Sequence, residues 1–221
     1  MAGLREHQKA GRRKRIVEAA RRHFLENGFD AATVEAIAET AEVSAVTVYN
    51  YYGTKRGLLL ALVGQSDDIL IGKLNGFIAD PPDDPLEAIA GVSAVIRDHA
   101  LGYLDKPIWR QVIATSVIEG SAGFGRGYAA LDRTLGSLIG TLLETLARRG
   151  VLGPGIDRAA VGGAAIDNEA AGETLFKLQN ARFVEFMADD AMTPTEMDRR
   201  VRGDIALVLG QHLAVRESIP A

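Results

Sequence analysis

Ser44-Ala45-Val46-Thr47-Val48-Tyr49-Asn50-Tyr51-Tyr52 gathers hydroxyls, an amide and small methyl groups in one short stretch. The hydroxyls of Tyr49 and Tyr51 can donate to phosphate oxygens. The amide of Asn50 can pair with an adenine edge, and the methyls of Ala45, Val46 and Thr47 can pack on a thymine methyl. Read as a helix, the stretch turns Val43, Val48 and Tyr52 inward and leaves the other side chains outside. Exposed aromatics there are poorly solvated unless something covers them. Lys55 stands at the start of the next helix, where its charge and the free backbone N–H groups attract phosphate. This is the chemistry of non-covalent recognition of a duplex.

Other chemistries find little support. The chain has no cysteine, which excludes disulfides, thiolate zinc sites, iron–sulfur clusters and cysteine nucleophiles. His7, His23, His99 and His212 are scattered, with no metal-ligand spacing. The tract Gly120–Gly127 is glycine-rich, but no strand precedes it and no Gly-Lys-Ser/Thr follows, so it is a weak phosphate cradle. No cofactor, metal or enzymatic activity is expected.

The elements that must hold Ser44–Tyr52 read as helices. Ile16, Ala20 and Phe24 form an apolar stripe that ends at Asn27-Gly28, a helix stop. Thr33 can cap a short second helix with Val34, Ile37 and Ala38 turned inward, and Ser44 a third. Thr54 can cap a fourth, with Leu58, Leu59, Ala61, Leu62 and Ile69 on its apolar face. Helices this short are marginal alone, so the second and third must pack on the first, through Phe24 and Ile16. The expected unit is a helix-turn-helix whose last helix can enter a major groove.

Beyond it, punctuation marks further helices. Asp84-Pro85 and Pro107 open two, Gly120–Gly127 reads as a break or loosened turn, and Gly150–Gly155 separates two long helices. Thr193-Pro194-Thr195-Glu196 is a capping box. The expected fold is all-α with about nine helices, and Val161–Ala165 reads as an unusually small-residue helical stretch.

The chain is 221 residues long, enough for a sizeable core. Its 47% apolar and 24% charged residues are ordinary globular usage, which argues against disorder throughout. Residues 1–56 carry +3 and the remaining residues −7, so the basic first quarter is the part suited to a polyanion. A run such as Arg12–Arg15 also fits a solvated helix start, and the arm from Arg5 to Arg15 is expected either to be disordered or to reach the backbone or minor groove of DNA. No apolar run is long enough to span a membrane, and the basic start leads into Arg12–Arg15 rather than an apolar stretch, so a cytoplasmic location is expected.

Arg15-Ile16-Val17-Glu18-Ala19-Ala20, Phe24, Gly28-Phe29, Thr33, Ile37-Ala38, Ala41, Val43-Ser44, Thr47-Val48-Tyr49, Tyr52, Lys55 and Leu58-Leu59 together resemble the DNA-binding domain of the TetR family of transcriptional regulators, over about residues 12–62. The resemblance implies cap and phosphate-contact roles for Thr33, Ser44, Tyr49, Tyr51 and Lys55. It implies base-reading roles for Glu35, Ala45, Val46, Thr47 and Asn50. Departures are Glu42 at a position that is usually glycine, Val46 for a small residue, Tyr51 for histidine, Tyr52 for phenylalanine and Gly57 for glutamate. A left-handed Glu42 adds about 1–2 kcal/mol of strain.

The resemblance further implies a DNA-binding domain over residues 1–56 and a helical ligand-binding and dimerisation domain over 57–221. The protein is then expected to be a homodimeric, ligand-responsive regulator, a repressor, that pairs through its last two long helices on a near-palindromic double-stranded operator. A small-molecule effector releases it. The small residues Ala170-Ala171-Gly172 and the bulk of Leu175, Phe176, Phe183 and Phe186 suit that pairing, or equally an intrachain core. Candidate effector contacts are Tyr103, Trp109, Phe124, Tyr128, Asn168 and Phe176. The competing reading is an all-α small-molecule-binding protein or enzyme with a vestigial helix-turn-helix unit.

Overall fold

A computed structural model of the chain describes residues 2–120, 123–152, 160–161, 164–165 and 167–214. Among them nine helices form: α1 (Ala2–Ala31), α2 (Val34–Thr40), α3 (Ala45–Tyr52), α4 (Lys55–Ala79), α5 (Pro85–Tyr103), α6 (Lys106–Glu119), α7 (Gly123–Arg148), α8 (Asn168–Ala188) and α9 (Pro194–Ala214). The fold is all-α, as the helical periodicity requires. The capping signals act as expected. Thr54 Oγ1 accepts from the Gly57 N–H at 2.9 Å, Asp84 from Glu87 at 3.1 Å, Asp105 from Ile108 at 3.0 Å and Thr193 from Glu196 at 3.2 Å.

Two expectations change. Val161, Ala164 and Ala165 are not helical: Ala160–Val161 and Ala164–Ala165 form two-residue antiparallel strands, with Ala160 opposite Ala165 and Val161 opposite Ala164. Helical spacing of small residues says nothing about chain reversal, and β-branched Val161 sits well in a strand. Residues 162, 163 and 153–159 lie outside the described set. The Gly120–Gly127 tract does hold a break, as expected, but a short one: α6 ends at Glu119, Gly120 has a φ of 54°, and α7 begins at Gly123. Ile69, expected on the apolar face of α4, is 58% exposed.

Packing divides the described chain into two compact units. Met1–Asp68 and Leu101–Tyr128 form the first. There α1 packs on α2 and α6, and α2 on α3. Ile16, Ala20, Phe24, Ile37, Leu58, Leu59 and Leu62 are wholly buried in it, and each of these except Ala20 is worth roughly 1.5–3 kcal/mol of apolar burial. The stop signal at Gly28 is real: its φ of 77° interrupts α1, and Phe24 meets Phe29 beyond it with ring centroids 5.4 Å apart. Arg21 donates to the Tyr103 carbonyl at 2.7 Å and lies 5.0 Å over its ring.

Ile69–Ala100 and Ala129–Ala221 form the second unit, where α8 packs on α9. Leu74, Ile89, Val92, Ile139, Leu142, Leu143, Phe186 and Ile205 are buried there. The small residues of α8 serve an intrachain contact: a Cβ on Gly172 would lie 2.4 Å from the Gly140 backbone nitrogen and 2.5 Å from the Gly136 carbonyl oxygen. Buried Arg97 of α5 is neutralised by Asp98, at 2.7 Å, and by Asp198 of α9, as a charge out of water must be.

Candidate nucleic-acid interface

The turn before α3 is built from the end of α2. The Val43 N–H donates to the Ala38 carbonyl at 2.9 Å and the Glu42 N–H to Glu39 at 3.1 Å. This is a Schellman closure, which requires a left-handed residue at the position of Glu42. Its φ is 55°, so the chain holds a glutamate where glycine is unstrained. Thr33 caps α2 by accepting from Ala36 at 3.2 Å, and Ser44 caps α3 by accepting from Thr47 at 3.2 Å. Ser44 and Thr47 also share a hydroxyl–hydroxyl bond of 2.9 Å. His23 bonds Thr40 at 2.8 Å and Arg15 donates to the Ala41 carbonyl at 3.4 Å, so α1 fixes the end of α2.

Only Val48 of α3 is fully buried. Val46 is 66% and Tyr49 44% exposed, and Ser44 and Asn50 are exposed beside them. Ala45, Thr47 and Tyr51 are half-buried, while Thr33 and Glu35 are exposed at the start of α2. The face therefore offers methyls, a phenol and an amide to solvent on a rigid, doubly capped support. No element of its own unit covers Val46 and Tyr49.

Lys55 has a different setting from the one expected. Its ammonium donates to the carbonyls of Phe29, Asp30 and Ala32 at 2.7, 3.1 and 3.1 Å, and lies 4.6 Å over the Phe29 ring. Tyr52 is half-buried rather than core, and its hydroxyl donates to the Arg13 carbonyl at 3.4 Å. Burial pushes that hydroxyl's pKa up, partly offset by Arg13. The Arg13 guanidinium lies 5.3 Å above the Tyr51 ring. Gly57 is forced by close approach: a Cβ there would fall 2.0 Å from the Tyr52 carbonyl oxygen. Sequence reading missed the tie between Arg13 and Tyr51; its only trace was a cation near the start of α1.

Residues 16–62 match the family described as bacterial regulatory proteins, tetR family. That segment, which holds α2 and α3, is of the tetR family type. Over 107 residues it is 28% identical to the HTH-type transcriptional regulator TcmR of Streptomyces glaucescens, covering 47% of this chain and 46% of that protein. Over 78 residues it is 32% identical to the HTH-type transcriptional repressor AcnR of Corynebacterium glutamicum, covering 31% of this chain and 42% of that one. The match thus spans less than half the length of these curated relatives. In fold it is similar to Thermus thermophilus FadR, a TetR-family repressor solved in complex with lauroyl-CoA. That likeness has a TM-score of 0.62 at 24% identity and covers 89% of this chain and 93% of that one. A TetR-family regulator from Pectobacterium atrosepticum gives a TM-score of 0.65 at 19% identity over 95% of each chain.

The candidate effector contacts fall into both units. Trp109 is buried in the first, with Tyr103 and Tyr128 half-buried. Position 124 lies on α7, but the side chain of Phe124 is outside the described residues. In the second unit Asn168 is half-buried, and buried Phe176 lines a groove of about 300 Å³ between α7 and α8. Asp132, Arg133, Glu173, Lys177 and Asn180 line the same groove, and burial raises the Asp132 carboxyl to about 6. Gln179, which no motif or spacing marks out, buries both heteroatoms of its amide with no hydrogen-bond partner among the described residues. Among those residues no group of His, Asp and Glu could hold a metal ion.

Proposed function

We propose that the protein is a ligand-responsive transcriptional regulator, a repressor rather than an enzyme, that binds a near-palindromic duplex operator as a homodimer. The observation that carries this reading is the exposed face of α3: Val46, Tyr49 and Asn50 stand in solvent on a helix whose turn, cap and inward residue are all fixed. Residues 1–56 hold the duplex-facing chemistry. Asn50, Thr47, Val46, Ala45 and Glu35 meet base edges, while Thr33, Ser44, Tyr49 and Tyr51 meet the backbone. Residues 57–221 supply effector binding and dimerisation.

Exposed Val184 on α8, and Leu207 and Val208 on α9, support pairing through these helices. A two-fold pair presents two α3 helices to half-sites about 34 Å apart, or a near-integral number of turns. The unpartnered amide of Gln179 and the α7–α8 groove support a small effector with both apolar and polar groups. Tyr103, Trp109, Phe124, Tyr128, Asn168 and Phe176 are its proposed contacts. Effector binding favours a state in which the α3 helices are wrongly spaced, a coupling of about 1–3 kcal/mol. No described helix is long and apolar enough to cross a membrane, and we place the protein in the cytoplasm, where its operator is.

Footprinting across the source genome, with light scattering on the complex, tests the reading. Protection of paired half-sites by two copies of the chain is expected. The absence of any protected site refutes it and leaves an all-α binding protein or enzyme with a vestigial unit.

A further inference from the structure

Five cations stand within seven residues of α1: Lys9, Arg12, Arg13, Lys14 and Arg15. The family match begins only after them, at residue 16. This stretch is helical and tied down. Arg13 lies over Tyr51, and its carbonyl accepts from Tyr52, so the start of α1 is fixed to the C-terminal end of α3. Lys14 pairs with Glu18 at 3.9 Å, and Arg15 is turned to the Ala41 carbonyl. Lys9 and Arg12 are exposed and have no carboxylate partner among the described residues.

Spacings of three and four residues put Lys9, Arg12 and Arg13 on one face of the helix. Lys9 and Arg13 also line a groove of about 720 Å³ with Tyr51, Tyr52 and Gln65. Glu6 and Asp68 line it too. Their charge disfavours an anion inside the groove, and the favourable strip is the outer face that Lys9 shares with Arg12.

We propose that this strip binds the sugar–phosphate backbone of the duplex beside the stretch that α3 reads, with Lys9 and Arg12 as the phosphate contacts and Arg13 as the positioning residue that holds the strip against Tyr51. The proposal rests on the reading of α3 as a duplex reader. Such contacts fix register and add affinity without reading sequence. Each phosphate neutralised releases counterions, so log K falls against log salt with a slope of about 0.9 per contact.

The test uses the full chain, a duplex enriched by the wild-type protein from a random library, and an unrelated duplex, with affinities measured over a range of salt. Lys9→Gln combined with Arg12→Gln is expected to weaken binding to both duplexes by the same factor, at least about 10-fold, and to lower the slope by about 2 per bound protomer. The charge-preserving pair Lys9→Arg with Arg12→Lys is expected to keep the wild-type slope, which separates charge from folding. An unchanged slope in the glutamine variant overturns the proposal, and so does a loss confined to the enriched duplex, which is the mark of base reading. If the wild-type chain binds neither duplex, the regulatory reading falls with it; in the other two outcomes that reading stands.

Discussion

Lys55 holds its ammonium 4.6 Å above the ring of Phe29 and donates to that residue's carbonyl at 2.7 Å. Its remaining N–H groups go to Asp30 and Ala32, both at 3.1 Å. An ammonium has three donors, so all of them are committed to the chain around the end of α1, where a cation is also favoured by the helix dipole. The first residue of α4 therefore fastens α1, and with it the frame on which α2 and α3 sit.

Lys55→Met is accordingly expected to lower stability by about 2–3 kcal/mol, the usual effect of losing a partly buried, charge-assisted set of hydrogen bonds. Urea unfolding reads this directly. The salt dependence of duplex binding should keep its wild-type slope. A slope lower by about 1 with an unmoved urea midpoint would put Lys55 on the DNA backbone instead.

The turn into α3 carries stored strain. Glu42 sits at φ 55° with its side chain exposed, and nothing in the turn uses its carboxylate. Replacing it with glycine removes the steric cost of the left-handed conformation and adds a smaller entropic cost in the unfolded chain. Glu42→Gly is expected to raise stability by about 0.5–1 kcal/mol, seen as a higher melting temperature with the helical circular dichroism unchanged. A lower melting temperature would show that the carboxylate has a partner worth more than the strain.

Where α7 and α8 touch, backbone meets backbone. A Cβ on Gly172 falls 2.4 Å from the Gly140 nitrogen, and neither helix has a flexible side chain there that could yield. Gly172→Ala is expected to cost about 2–4 kcal/mol through overpacking. Exposed Gly203, inside α9, meets nothing within 4 Å. Gly203→Ala should therefore gain about 1 kcal/mol from helix propensity alone. Paired unfolding curves of the two variants check both signs, and a stabilised Gly172→Ala would show that the helices can separate at no cost.

The sequence displayed those parts of the fold whose causes are local. Thr33, Ser44, Thr54 and Thr193 can be seen as caps because a cap needs only one oxygen and a helix three residues on, and all four accept the expected N–H. The strain at Glu42 could be anticipated because the turn demands a left-handed residue whatever its identity. The outward face of α3 followed from helical period alone. The intrachain bonds of Lys55 could not be foreseen, because position in sequence shows a cation at a helix start but not the carbonyls of residues 29–32, which tertiary folding brings to it. Arg13 and Tyr51 meet although they stand 38 positions apart in the chain, and Gln179 is buried by neighbours that no spacing rule identifies. Gly172 was correctly seen to allow close approach, but composition could not say whether the partner was a second chain or α7.

Asp67 gives the first unit a dependence on pH. It is half-buried on α4, and burial, reinforced by the neighbouring charge of Asp68, raises its carboxyl from 3.8 to about 6. Between those values the folded chain keeps a proton that the unfolded chain has released. Stability linked to this group is therefore fully present below the unfolded value and is lost as pH rises through about 6. Asp67→Asn removes the ionisation. The variant should gain on the wild type progressively as pH rises from about 4 to about 6, and the gain should then level off. Asp132 has a similarly raised value in the second unit, so the single variant flattens only part of the profile. Urea midpoints of both proteins across this range settle the point: a difference that does not change with pH would mean that Asp67 is ionised in the folded chain throughout.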